Sequence, residues 1–209
     1  MEIKVCGMRE SENIFRLIEE INPDWMGLIF YSKSPRFVSD EQSLELAKIS
    51  ISKVGVFVNE TEAEILRKEA LFNLKAVQLH GGESPEFVEE LSKKTKAEIW
   101  KVISVNDRID WGTLKSYFPF VSKFLFDTAS PKHGGTGKKF DWSILETYPF
   151  DKGFLLSGGI DEESGEEVLT FAAKNPMMLG VDLNSKFEDA HGLKNIEKLK
   201  NFIQQLPRN

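Results

Sequence analysis

Eight short apolar runs, recurring at intervals of roughly 25 residues, constrain this chain more than any other feature. They are "IKVCG" (3–7), "WMGLIFY" (25–31), "KVGVFV" (53–58), "KAVQLHG" (75–81), "EIWKVISV" (98–105), "KFLFDT" (123–128), "GFLLSGG" (153–159) and "MMLGVDLNS" (177–185). Each is rich in Val, Ile, Leu or Phe, and most end at or near Gly, Ser, Asn or Asp. Near-continuous apolarity is the signature of strands buried on both faces, as in a parallel sheet.

Helical patterns fill most of the gaps. Residues 10–21 carry Ile14, Leu17, Ile18 and Ile21 on one face. Residues 39–49 open on a capping serine. Residues 61–71 open as a capping box, Thr61 with Glu64. Residues 84–91 place Pro85 at the first helical position, where its missing N–H costs little. Residues 161–173 and 193–206 complete the series, and around 110–117 and 142–147 the spacing predicts one or two turns at most. Strands alternating with helices predict an α/β protein, and eight repeats predict a closed (β/α)8 barrel. That architecture typically takes about 250 residues, with about 200 as its lower limit. The 209 residues therefore predict a minimal version, one domain over 1–209. An open doubly wound sheet is the alternative, disfavoured by the absence of a Gly-rich first turn.

A net charge of −6 argues against general nucleic-acid binding, which needs a basic face to displace phosphate counterions. A small anionic ligand remains compatible, because backbone amides and a few local cations can hold it. With Cys6 as the only cysteine, no intramolecular disulfide forms, which fits a reducing compartment. No run approaches the ~20 apolar residues of a membrane span, and the first residues lack a signal-peptide apolar region. The expectation is a cytoplasmic protein.

In (β/α)8 barrels the reactive groups sit at the C-terminal ends of the strands. Cys6 closes the first run, and alternation puts it on the same side as Lys4, the polar and hence interior side. It is either a small buried hydrophobe or a thiol able to act as nucleophile or base. Asp127 closes the sixth run, where it either caps a turn or exchanges a proton with a ligand. The stretch "HGGTGKK" (133–139) fails both the Walker A and the dinucleotide spacing. It reads as a basic loop, either solvated or, through Gly135 and Gly137, closing over an anionic substrate. "LSGGI" (156–160) and "GVDLNS" (180–185) end the last two strands, where barrels of this kind bind phosphate through backbone amides. Glu162 and Glu163, expected in the first turn of the next helix, would repel a phosphate there. That shifts the predicted cradle to Gly158, Gly159 and the segment starting at Asn184 and Ser185. Asp182 is expected to point inward and pair with Lys4, since a buried charge needs a partner. Arg36 is either solvated or forks onto a carboxylate. His80 follows the fourth run. With only His80, His133 and His191 in the chain and no paired spacing, no metal site is expected.

Together, "KVCGMR" (4–9), "SPRFVS" (34–39), "QLHGGES" (78–84), "FDT…GGTGKKFDW" (126–142), "LSGGI" and "GVDLNS" resemble the phosphoribosylanthranilate isomerases of tryptophan biosynthesis, in order along the whole chain. The resemblance implies a (β/α)8 barrel that performs an Amadori rearrangement on a phosphosugar, with no metal and no cofactor, as a monomer or homodimer. It implies that Asp127 is the general acid and Cys6 the general base. It further implies that Arg36 binds the anthranilate carboxylate and that Gly158 and Gly159 bind phosphate. His80, Gly135, Gly137, Asp182, Asn184 and Ser185 are expected to line the substrate site. "GGIDEESGEEV" and "EDAHGLKN" depart from the family's usual pattern. Other sugar-phosphate barrels need strand-end His and Asp metal ligands or a Lys–Glu set, and neither is found. A phosphosugar-binding protein without turnover is the non-enzymatic alternative, and the presence of both Cys6 and Asp127 argues against it.

Overall fold

The computed structural model describes residues 1–129 and 139–207. All eight apolar runs are strands: β1 (Glu2–Cys6), β2 (Trp25–Ile29), β3 (Lys53–Phe57), β4 (Ala76–Leu79), β5 (Glu98–Val105), β6 (Lys123–Thr128), β7 (Phe154–Leu156) and β8 (Met178–Leu183). Each pairs in parallel with its sequence neighbour, and β8 returns to β1 to close the barrel. That closure excludes the doubly wound sheet.

The helices are α1 (Ser11–Glu20), α2 (Ser43–Leu46), α3 (Glu62–Phe72), α4 (Pro85–Ser92), α5 (Trp111–Lys115), α6 (Gly165–Lys174) and α7 (Ile196–Ile203). Three of them correct the sequence reading. The 39–49 helix shrinks to α2 behind a 3₁₀ turn at Asp40–Gln42. The 161–173 helix starts only at Gly165, because the Ser164 hydroxyl and Asp161 bond each other in a turn before it. Glu162 and Glu163 thus lie outside the first helical turn, and Glu162 accepts from the Asn201 side chain at 2.7 Å. The 193–206 helix starts at Ile196, capped by Asn195 Oδ1, which accepts from Lys198 N–H at 3.0 Å. The residues before it form a hairpin, β9 (Glu188–Ala190) with β10 (Leu193–Lys194). The Thr61 hydroxyl caps α3, but the box stays half closed because the Glu64 carboxylate turns to Arg67 at 2.7 Å. The weak helices behave as expected: α5 is a single capped turn, and Trp142–Thr147 is 3₁₀.

Period-two alternation divides the strands between two cores. Ile3, Val5, Phe124, Phe126, Phe154 and Leu156 face outward under the helices. Trp100, Val102, Leu125 and Leu155 fill the barrel's interior with Val54 and Ala76. Full burial of each such side chain contributes roughly 1.5–3 kcal/mol. The bottom of the barrel is stoppered by Lys123, which lies 4.7 Å over the Trp100 ring and pairs with Glu2 at 2.8 Å. With that end filled, the opposite end is left for a ligand. Among the described residues, no helix is long and apolar enough to cross a membrane.

Candidate active site

Register builds the site. Across β1 and β8, Lys4 pairs with Asp182, and across β1 and β2, Cys6 pairs with Gly27. Lys4 Nζ donates to Asp182 Oδ1 at 2.8 Å, and both side chains are buried. This is the expected pair. Burial opposes the Lys4 charge, but Asp182 and Cys6 outweigh it and hold the ammonium above its usual pKa. Burial raises the Asp182 carboxyl, against the pull of Lys4.

Cys6 ends β1 at 4% exposure. A Cβ on Gly27 would stand 2.7 Å from its sulfur, so that glycine clears the space the thiol occupies. Cys6 lies in electrostatic reach of Lys4, Asp182 and Lys194. Burial pushes its pKa up, Lys4 and Lys194 pull it down, and Asp182 pushes it up again, with a net rise. The resting group is a thiol with cations at hand to receive its anion.

Asp127 is the penultimate residue of β6 and is 8% exposed. One carboxylate oxygen accepts from the Thr128 N–H at 2.8 Å, and the other lies 3.3 Å from His80 Nε2. His80 follows β4 in a loop pinned from below by a buried pair. Lys101 Nζ donates to Gly81 O at 2.8 Å and to Glu83 at 3.1 Å, and Glu83 accepts in turn from the Gly81 and Asn59 amides. Gly158 adopts φ 85° and Gly159 φ 69°, both left-handed. A Cβ on Gly158 would come within 2.3 Å of Thr128 Oγ1 and 3.0 Å of Asp127 Oδ1. Among the described residues, neither glycine's amide N–H has a backbone acceptor. Asp182 interacts electrostatically with Cys6 on one side and with Asp127 and His80 on the other. Cys6, His80, Asp127, Gly158 and Asp182 therefore share one end of the barrel.

Gly7, at φ 77°, connects this group to Arg36. A Cβ there would meet Arg36 Cδ at 2.6 Å and Asn184 Oδ1 at 2.9 Å. Arg36 is buried, its Nε 2.8 Å and Nη2 2.5 Å from the two oxygens of Glu188, with His191 Nδ1 at 3.1 Å. Asn184 Oδ1 accepts from Lys194 at 2.8 Å, and Ser185 opens a 3₁₀ turn, Ser185–Phe187. Gly135 and Gly137 lie outside the described residues.

Sequence reasoning did not single out Glu188, Lys194 or Gly27. The first two lie in "EDAHGLKN", where the signal was a His191–Gly192 turn. Gly192 takes φ 84° and the hairpin register sets Lys194 opposite Glu188. Gly27 carried no signal, because its purpose is visible only across the strand pair.

The barrel and its site can be set beside known proteins. Residues 3–205 match the family model for N-(5'-phosphoribosyl)anthranilate (PRA) isomerase. The N-(5'-phosphoribosyl)anthranilate isomerase of Parabacteroides distasonis is 45% identical over 210 aligned residues, covering 99% of this chain and 93% of that protein. The crystal structure of the Thermotoga maritima phosphoribosyl anthranilate isomerase superposes with a TM-score of 0.84 at 31% identity, covering 98% of each chain. A further structure of such an isomerase, in complex with reduced 1-(o-carboxyphenylamino)-1-deoxyribulose 5-phosphate, gives a TM-score of 0.82 at 28% identity over 98% of this chain and 97% of that one. By whole-chain sequence match and by shared barrel, this chain belongs to the N-(5'-phosphoribosyl)anthranilate isomerase family of tryptophan biosynthesis.

Proposed function

We propose that this isomerase converts N-(5-phosphoribosyl)anthranilate into 1-(2-carboxyphenylamino)-1-deoxyribulose 5-phosphate by an Amadori rearrangement under general acid–base catalysis. Asp127 gives its proton to the furanose oxygen as the C1–O bond breaks, and the nitrogen lone pair forms an iminium. The Cys6 thiolate takes the proton from C2, and the freed electron pair makes the C1–C2 double bond of an enolamine and neutralises the nitrogen. Protonation at C1 and loss of the O2 proton leave the ketone. Hydrogen moves within the substrate, so the step draws on no external oxidant.

The observation that carries this reading is the convergence of Cys6 and Asp127. Cys6 is the last residue of β1 and Asp127 the last but one of β6, at the same end of the barrel, with Asp182 in electrostatic reach of both. Burial holds the Cys6 thiol above its usual pKa, and Lys4 and Lys194 act in the opposite direction, toward the anion that the proton abstraction needs. Arg36 takes the anthranilate carboxylate. Gly158, Gly159 and the Asn184–Ser185 segment take the phosphate, and His80 and Asp182 line the floor beside the ribose. The product-like molecule held by a structural relative carries the same carboxylate and phosphate.

The test is turnover of phosphoribosylanthranilate by the purified protein, together with rescue of a tryptophan auxotroph lacking this step. Cys6→Ala and Asp127→Asn should each lower kcat by about 10²–10⁴, with the circular dichroism of the native fold retained. Near-normal turnover in both variants would remove the assigned roles.

A further inference from the structure

The hairpin after β8 builds a cluster around Arg36 whose Glu188 has no part in the proposed chemistry. Glu188 accepts Arg36 Nε and Nη2 with its two oxygens, and it also accepts Lys194 Nζ at 2.5 Å and the Gly192 N–H at 3.2 Å. Its side chain is 5% exposed and that of Lys194 is 0% exposed. Lys194 Nζ reaches back to Asn184 Oδ1, and its backbone is held at both ends by Asn13, through Asn13 Oδ1 at 2.7 Å and Asn13 Nδ2 at 2.8 Å. Such a buried charge cluster is costly to desolvate, and stability alone does not require it.

We propose that Glu188 and Lys194 are positioning residues of the isomerase: Glu188 fixes the Arg36 guanidinium for the substrate carboxylate, and Lys194 joins that subsite to Cys6. The inference rests on the assignments of Arg36 and Cys6 made above.

The geometry gives each residue its part. Guanidinium carries five N–H donors in a planar fork. Glu188 occupies the edge formed by Nε and Nη2, so the edge of Nη1 with the remaining Nη2 hydrogen is the one left for the substrate. Among the described residues Nη1 has no partner, and Nη2 meets only the exposed His191 besides Glu188. A planar carboxylate fits that edge with two hydrogen bonds once His191 moves aside. Tying Arg36 beforehand removes rotamer freedom that binding would otherwise have to freeze.

Lys194 supplies the charge balance. Its ammonium pairs with Glu188 of β9 and bonds Asn184 Oδ1, the atom that lies beside Gly7 next to Cys6, and it is in electrostatic reach of Cys6 on β1 and of Arg36 after β2, with His191 on the turn beside Arg36. Without its ammonium, the Glu188 carboxylate would stand against both the incoming carboxylate and the Cys6 anion. Burial lowers the Lys194 pKa to about 8, against the pull of Glu188, so the cation is present at neutral pH.

The experiment combines kinetics with direct titration of the thiol. Cys6 is the only cysteine, so thiolate absorbance, taken as the difference between each protein and its Cys6→Ser counterpart, reports that group without any turnover. Glu188→Gln, and Glu188→Asp as the charge-retaining but shorter variant, should each raise KM about tenfold, with a smaller change in kcat. Lys194→Met should move the Cys6 titration, and with it the acid limb of the kcat/KM profile, to higher pH, and Lys194→Arg should restore much of both. KM unchanged or lowered in both Glu188 variants would show that the carboxylate merely competes for Arg36 and would overturn its positioning role. A Cys6 titration unmoved by Lys194→Met would overturn the link to the base. Arg36→Ala separates the two levels. If it leaves KM unchanged, the carboxylate assignment itself fails. If it raises KM while the Glu188 variants do not, only the present inference fails.

Discussion

Lys4 and Asp182 stand 178 positions apart in the chain, yet their side chains meet at 2.8 Å in the sealed interior of the barrel. The closing register between the first and last strands brings them together. Their pairing sets the charge beneath Cys6, because Lys4 pulls the thiol toward ionisation and Asp182 pushes against it.

Breaking that pair from one side should be costly. Lys4→Met leaves Asp182 buried without its cation and should destabilise the fold by about 3–5 kcal/mol. Combining Lys4→Met with Asp182→Asn should recover part of the loss. Urea unfolding of the single and double variants measures it, and equal losses in both would show that the buried charge is not the source.

Stability should also depend on pH through Lys194. Its folded pKa is lowered to about 8, whereas an unfolded lysine titrates near ~10.4. Between these values the unfolded chain binds more protons, so raising the pH through that window stabilises the fold. Below it the cost of the buried ammonium is fully present. The stability of the native sequence minus that of Lys194→Met should therefore rise by about 2 kcal/mol from pH 8 to 10. A flat difference across that interval would contradict the buried, charged assignment.

Two glycines should matter for activity through space alone. Gly158→Ala puts a methyl group against Thr128 and Asp127 at a left-handed backbone position. It should cost about 1–3 kcal/mol and, by displacing the acid, about 100-fold in kcat/KM. Gly27→Ala presses on the Cys6 sulfur and should lower kcat more than it raises KM. Full activity in either variant would mean that the neighbouring group does not need its present position.

Arg36→Lys keeps the charge but loses the planar fork. Lysine cannot hold Glu188 and a second carboxylate in one plane, so KM should rise roughly ten- to hundredfold. Substrate titration under steady-state conditions decides it, and an unchanged KM would mean that only the charge is used.

Much of this was written locally. Eight apolar runs with helices between them predict parallel strands and their closure into a barrel, because burial on both faces leaves a mark on every residue of a strand. The same alternation turned Lys4 and Cys6 inward, and strand ends pointed to Asp127, His80 and Gly158. Helix limits were less legible. Thr61, Ser84 and Asn195 cap their helices, but only the structure showed that Ser164 and Asp161 bond each other and delay α6, or that Glu64 prefers Arg67. What tertiary structure alone decided is what depends on register and ring closure: Gly27 opposite Cys6, and the hairpin that folds Glu188 and Lys194 back onto Arg36. Each of these joins residues far apart in the chain, and nothing in either segment by itself records the other. Local sequence sets which way a side chain points, and closure of the barrel sets what it meets.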